Sequence, residues 1–557
     1  MHTTTDPVHR HASSASGGGF RWTAAVGAGM AAMVARRRVL LGDLVHWKVH
    51  TARLQAKQLR AILRTAAPTE FGRSHSYAGL IGLPDAELIA GFRKSVPLGD
   101  YERVRPLINR MRDGGEPNVL WPGLVRDFAQ TSGTTSGDKY IPVTAAMMKS
   151  NFRASLDIFA HAQNFGVSLT RMLSGRLLFL GGSTELASNQ HGVRTGDLSG
   201  IVAPLIRWPL SEVYSPGQKI ALMSHWPGKI EAMARLTARQ DIRMISGMPS
   251  WGLKLMERVL QIAREQGRKA DCIRDVWPNL TLFVHGGVKY APFDPAVRRM
   301  WSGGDVDFPY RYEVYPASEG FIALQDTRGD PGLRLLADVG IFYEFVPLEE
   351  IGDPAARGYL CHEVERGQRY VVVMTTCAGL ARYIIGDVVE FDTIPAGLDG
   401  RGGEGPCRLR IVGRHKHFIN AFGENLIVEH IENAVTAPAA AAGVTIGEFS
   451  AAPVYPGPGQ KPGLELAVEC ANGLESRGVL ERFQAAFDRS LKEQNVDYTT
   501  KRTDDLGMVP PTITVVPMGS FHRWMESRGK VGGQVKCPRC ANHRDIVNAV
   551  VSLAGTR

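Results

Sequence analysis

Between Ala129 and Thr144 the chain reads AQTSGTTSGDKYIPVT, which sets five hydroxyl side chains and two glycines in succession before Asp138, Lys139 and Tyr140. Such a run buries no apolar surface. Ser132, Gly133, Thr134, Thr135, Ser136 and Gly137 offer bare amides and rotatable hydroxyl donors, the groups that wrap a phosphate; a flexible Ser/Thr turn is the other reading. The spacing is not that of a Walker A loop, because only three residues separate Gly133 from Gly137 and Asp138 intervenes before Lys139. Two later stretches carry further groups. YPASEG (Tyr315 to Gly320) follows the strand-like YRYEV and holds Glu319, and GLARYIIGD (Gly379 to Asp387) lies between YVVVMTT and VVEF. Read singly, Glu319 is a turn carboxylate and Asp387 sits in a Gly-Asp turn between two strands.

In this order, a Ser/Thr/Gly loop, an aromatic-x-x-Ser-Glu and a Tyr-x-x-Gly-Asp resemble the three nucleotide motifs of acyl-adenylating enzymes. The chain is more similar still to the Gretchen Hagen family of acyl-acid amido synthetases, in its bacterial-type form. The resemblance extends through TEFGRSHSYAGL (from Thr69), VPLGDYE (from Val96), GRHKHFINAFGENL (from Gly413), NVDYTTKR (from Asn495) and GGQVKCPR (from Gly532).

That resemblance implies a chemistry. Joining a carboxylate to an amine requires a better leaving group, which ATP supplies by forming acyl-AMP and pyrophosphate. It implies that residues 132 to 137 cradle phosphates with Lys139 nearby, that Tyr315, Ala317 and Ser318 line the nucleotide with Tyr315 by the adenine, and that Glu319 holds Mg²⁺. Asp387 then accepts from both ribose hydroxyls, and Arg414 contacts ribose or phosphate. Arg382 faces the nucleotide or is a strand-surface cation. Lys536 is the mobile-domain lysine of the adenylation step. Asn420 departs from the wider superfamily, which often has a lysine there, so the second half-reaction is not transferable from acyl-CoA ligases. An adenylating ligase with a thiol acceptor, coenzyme A or a carrier protein, is the alternative.

The elements that must position these residues are those of a mixed α/β protein. RLLFLGG, IRMISG and LTLFVHGG, starting at Arg176, Ile242 and Leu280, read as buried strands. Ser250 is placed as the cap of a helix whose Trp251, Leu255, Val259 and Ile262 form one apolar stripe. GIFYEFVPL, GYLCHEV and RYVVVMTT, between Gly340 and Phe391, predict an antiparallel subdomain. IPAGLDGRGGEGP, from Ile394, is a loop before the strand CRLRIVG. Helix, strand, helix and strand are expected after Arg414. The domains expected are a disordered leader at 1–20, a large adenylating domain at 21–413 and a small mobile C-terminal α/β domain at 414–557, hinged near Gly413 to Lys416. The acyl pocket is placed near LGGSTELA (from Leu180) and GDLSGI (from Gly196).

Composition narrows the remaining classes. The chain has 557 residues, 44% hydrophobic, enough for more than one core. A formal charge of +10 spread over this length, without zinc-finger spacing or a long basic run, gives little support for nucleic-acid binding. Seven scattered cysteines fit a reducing cytoplasm, and Cys537 and Cys540 read as two free thiols rather than half of a zinc site. The apolar run WTAAVGAGMAAMVA, closed by Arg36, Arg37 and Arg38, is too short to span a bilayer and reads as a packed helix or, less favoured, a membrane-surface one. Small-molecule acid and amine substrates are the expected partners.

Overall fold

The computed structural model describes residues 23–131, 139–181, 186–288, 290–353, 355–415, 418–442, 444–457, 460–472, 474, 476–528 and 537–555. Its centre is an eleven-stranded mixed sheet. The short, apolar, Gly-terminated segments form the parallel half: Tyr214–Ser215, Arg176–Phe179, Ile242–Ser246, Leu282–Gly286 and Tyr310–Ala317 lie side by side in that order. Both faces are covered by helices, which is why these strands read as continuous apolar runs without alternation. Pro249–Glu265 is one cover, and its stripe of Trp251, Leu255, Val259 and Ile262 is buried. Ser250 does not cap it. The helix starts on Pro249, whose fixed φ suits a first turn and moves the cap position back to Met248.

The sheet changes character at Tyr310–Ala317, which is parallel to Leu282–Gly286 and antiparallel to Gly320–Gln325. Beyond it run Leu333–Leu335, Arg408–Arg414, Tyr383–Thr393, Tyr370–Thr376 and Ile341–Pro347, all antiparallel, as expected for this region. GYLCHEV is not a strand: only Tyr359 bridges back to Phe345, and turns occupy the rest. The antiparallel half curls over on itself. Tyr343 of the end strand donates its hydroxyl to the Phe321 carbonyl at 3.0 Å, and a Cβ on Gly320 would meet Ile341 Cδ1 at 2.4 Å.

After Arg414 the expected alternation gives way to a short hairpin of Phe418–Ile419 with Leu426–Ile427. A helix, Val428–Ala442, follows, then two consecutive antiparallel strands, Thr445–Val454 and Gly463–Asn472. Thr512–Val516 completes this three-stranded sheet in parallel, after the helices Arg477–Gln494 and Val496–Arg502. Cys537 and Cys540 are buried in apolar clusters, and burial pushes both thiols up to about 12.

The N-terminal apolar run forms the helix Thr23–Gly42, and its inner face packs. Met30, Val34 and Leu41 are buried, and a Cβ on Gly27 would stand 2.7 Å from the Leu169 carbonyl oxygen. Of the three arginines that close the run, Arg37 turns inward. It donates to Asp157 at 2.6 and 2.8 Å and to Asp338 at 2.7 and 2.9 Å. Among the described residues no helix is long and apolar enough to cross a membrane. Because Asp157 is fully buried, Arg37→Leu is expected to destabilise the protein by about 3–5 kcal/mol, read from the urea midpoint. A loss below about 1 kcal/mol, the size of a surface pair, would show that the helix end is not held by this bridge.

Candidate active site

Three of the sequence-predicted groups meet directly. Asp387 is not in a turn: it lies within the strand Tyr383–Thr393, directly opposite Arg414 on Arg408–Arg414. Arg414 Nε donates to Asp387 Oδ1 at 2.5 Å, and Tyr315 Oη donates to Asp387 Oδ2 at 2.5 Å. Both carboxylate oxygens are therefore engaged, one by a cation and one by a phenol. Burial opposes the Arg414 charge, yet the adjoining carboxylate outweighs it and holds the guanidinium above its ordinary range. Burial, then Asp387, lifts the Tyr315 phenol well above its usual value, so the hydroxyl stays a donor. Gly386, at φ +99°, lets the backbone turn here, and its carbonyl accepts from the His415 amide at 3.0 Å.

Glu319 stands at the tip of the tight hairpin between Tyr310–Ala317 and Gly320–Gln325, where Ala317 pairs with Gly320 and Ser318 and Glu319 form the turn. It is no solvated turn carboxylate. Only 7% of it is exposed, and burial raises its carboxyl while nearby Lys139 draws it down. Lys139 ends the strand Lys139–Val143 opposite Thr131, so the residues on either side of the hydroxyl run are neighbours and their base lies by Glu319. Ser132, Gly133, Thr134, Thr135, Ser136 and Gly137 themselves, and Lys536, lie outside the described residues. The described residues hold no cluster of three or more His, Cys, Asp or Glu able to ligate a metal. A single buried carboxylate such as Glu319 is nevertheless compatible with Mg²⁺, which takes one or two carboxylates and completes its shell with phosphates and water.

Arg382 fits neither expected role. It is 5% exposed, with φ +45°, and its guanidinium donates to Glu344 at 2.9 and 3.0 Å and to the carbonyls of Arg93 and Val96. It holds the segment before Asp387, its guanidinium spent on these partners. Asn420 donates its amide to Asn542 Oδ1 at 2.6 Å, tying the chain after the sheet to the C-terminal segment. One residue of the site was overlooked in the sequence. Tyr383, fully buried, lies against Glu319, whose charge raises its phenol after burial does. The signal was present, since Tyr383 opens the Tyr-x-x-Gly-Asp motif. Gly181 and Ser199, one from each of the two stretches assigned to the acyl pocket, lie together: a Cβ on Gly181 would meet Ser199 Cβ at 2.9 Å.

The GH3 family N-terminal domain matches residues 41–203 and 183–306, the central domain 334–396 and the C-terminal domain 429–545. The chain belongs to the GH3 family. This GH3 protein is 22% identical over 579 residues to a probable indole-3-acetic acid-amido synthetase GH3.1 of Arabidopsis thaliana, with 90% of each chain covered. It is 25% identical over 571 residues to indole-3-acetic acid-amido synthetase GH3.8 of Oryza sativa subsp. indica, again over 90% of each. To jasmonoyl-L-amino acid synthetase JAR4 of Nicotiana attenuata the identity is 21%, over 89% of this chain and 92% of the relative. Among solved structures, AtGH3.15 acyl acid amido synthetase in complex with 2,4-DB superposes with a TM-score of 0.56 at 18% identity, covering 94% and 96% of the two chains. A 2-hydroxyisobutyryl-CoA ligase in complex with 2-HIB-AMP and CoA gives 0.50 at 17% identity over 90% and 91%. At these identities the superpositions establish a shared fold. The same fold thus carries both an amido synthetase and a CoA ligase.

Asp387→Ala removes an ionised acceptor pair, so ATP affinity measured by calorimetry is expected to weaken by about 1.5–3 kcal/mol. Unchanged affinity in a cooperatively melting variant would leave Asp387 as a purely structural partner of Arg414 and Tyr315.

Proposed function

We propose that this GH3 protein is an ATP-dependent acyl-acid amido synthetase, which adenylates a small carboxylic acid and passes the acyl group to an amine, an amino acid. The observation that carries this reading is the Asp387 carboxylate, fixed between Arg414 and Tyr315, with buried Glu319 close enough to act on the Arg414 charge and the Tyr315 phenol.

The substrate carboxylate attacks the α-phosphate of ATP, and the bond to the departing pyrophosphate breaks. Asp387 accepts from the ribose hydroxyls once its present donors shift, and Arg414 and Lys139 supply positive charge where phosphate charge accumulates. Glu319 is the residue to hold Mg²⁺, which when bound neutralises phosphate charge. Residues 132 to 137 cradle the phosphates, and Tyr315, Ala317 and Ser318 line the nucleotide. In the second half-reaction the amine nitrogen forms the C–N bond, the acyl C–O bond breaks, AMP leaves with the electron pair and the nitrogen sheds a proton. Acyl-AMP is hydrolysed by water, so a closed site is required between the two steps. A small domain at 414–557, turning about Gly413 to Lys416 against 21–413, brings Lys536 in for the first step and moves it out for the second.

With Mg²⁺ and an acid drawn from an aromatic, aliphatic and hydroxy-acid panel, ATP is expected to yield AMP and pyrophosphate, with an amide found by mass spectrometry. ADP and phosphate would rule out adenylation, and a thioester with coenzyme A in place of an amide would make the protein a thiol-acceptor ligase. Lys536→Ala is expected to slow adenylation by about 10²- to 10³-fold and to leave amide formation from supplied acyl-AMP near normal. Equal loss of both steps would contradict the alternation.

A further inference from the structure

Among the described residues the buried ammonium of Lys501 stands without an ionic or hydrogen-bonded partner. Lys501, in the helix Val496–Arg502, is 6% exposed, and among the described residues its ammonium makes neither a hydrogen bond nor an ion pair. Its recorded interaction is with an aromatic face, Nζ lying 5.5 Å from the Trp251 ring centroid. The adjacent Arg502 is by contrast fully engaged, donating to Asp488 at 2.9 and 3.0 Å and to the Met508 carbonyl at 2.7 Å. Asp497 stands one helical turn before Lys501, the spacing at which such pairs ordinarily close, but this pair does not. A buried ammonium with no carboxylate in direct contact is costly, and an anion that reached it would relieve that cost.

The position of Lys501 says which anion. A Cβ on Gly423 would stand 3.4 Å from Lys501 Cε and 2.9 Å from Met248 Sδ, and Met248 in turn approaches Gly287. Gly287 follows the strand Leu282–Gly286, whose last residue pairs with Val314, the neighbour of Tyr315. Lys501 therefore reaches the crevice beyond the carboxyl ends of the parallel strands, where open α/β sheets bind ligands, separated from Tyr315 by the Gly286–Gly287 backbone. Unsatisfied polar atoms gather there: Ser250 Oγ and Trp251 Nε1 on the first turn of Pro249–Glu265, and Asn425 Oδ1 after Gly423, are buried without partners. Three carboxylates surround it. Glu424 is capped by the amides of Ala421 at 3.1 Å and Phe422 at 2.6 Å and Asp197 by the Ser199 amide at 3.0 Å and hydroxyl at 3.2 Å, both feeling the Lys501 charge, while Asp497 accepts from Asn425 Nδ2 at 3.5 Å and lies near enough to Asp197 to act on it. One unpaired cation beside two carboxylates is the complement of a zwitterion.

We propose that this crevice receives the acceptor as an α-amino acid, its carboxylate held by Lys501 and its ammonium drawn toward Asp197 and Asp497. The assignment rests on the amide-forming reading above and names the residue that selects the acceptor. It requires Lys501 to matter in the second half-reaction alone.

The test compares L-amino acids with their α-amides, which keep the amine and lack the carboxylate, in wild type, Lys501→Met and Lys501→Arg. Wild type is expected to prefer the amino acid, and Lys501→Met to raise its KM by about 10- to 100-fold, the loss of one charge-assisted contact, without moving KM for the amide. Carboxylate-dependent pyrophosphate exchange should be unchanged in both variants, and Lys501→Arg should retain most of the preference. Should Lys501→Met fail to melt cooperatively, Lys501→Gln, which keeps a polar tip and loses the charge, takes its place with the same selective rise in KM expected. An unmoved preference in Lys501→Met, or an equal fall in pyrophosphate exchange, overturns the inference and leaves the amido synthetase standing. Wild-type enzyme that exchanges pyrophosphate but forms no amide with any amino acid removes both.

Discussion

Asp387 can accept from Arg414 and Tyr315 at once only because the strands Tyr383–Thr393 and Arg408–Arg414 are locked in one register. Strand pairing has a period of two, so a slip of one residue would put Asp387 and Arg414 on opposite faces and leave the buried Asp387 carboxylate without its counter-ion. An uncompensated charge of that kind is far more costly than the bridge is stabilising, which makes the register close to obligatory. Gly386 with its positive φ, the His415 amide on the Gly386 carbonyl, and Arg382 clamped on Glu344 all fasten the same few residues from both ends.

The rest of the site follows from how the sheet changes direction. Tyr310–Ala317 takes a parallel neighbour on one side and an antiparallel one on the other, so its end carries both a crevice and a hairpin. Glu319 occupies the hairpin tip. Curling of the antiparallel half brings Ile341–Pro347 over Gly320–Gln325, and in that enclosed space Glu319, Tyr383 and Lys139 come within mutual influence. Desolvation there strengthens every charge interaction, which is what a reaction at an α-phosphate demands.

The segment after Arg414 is not an appendage. Phe422 and Tyr455 pack their rings on Phe293 at 6.0 and 5.9 Å, and Leu426, Ile431 and Tyr498 share one apolar cluster with Trp251 and Leu255. The unpaired Lys501 lies at this same junction, and in an apolar contact a lone ammonium is an exception that packing alone does not explain.

The sequence by itself determined the element types of the parallel half, because strands buried on both faces must be continuous apolar runs ended by glycine. It determined the apolar stripe of Pro249–Glu265 through helical spacing and the antiparallel region through its hairpins, and it singled out Tyr315, Glu319, Asp387 and Arg414 as candidate site residues through motifs that follow one another along the chain. Local rules were also where it erred. Pro249 overrode Ser250 at the helix start, GYLCHEV had strand composition but pairs with the end strand only at Tyr359, and Arg382 read as a nucleotide contact or a surface cation because nothing local reveals Glu344. Only the tertiary structure decided that Asp387 lies mid-strand with both oxygens engaged, that Tyr383 faces Glu319, and that Lys501 ends in a crevice without a counter-ion. Each depends on strand register, sheet curling or the docking of distant segments, and such long-range contacts leave no trace in the spacing of neighbouring residues.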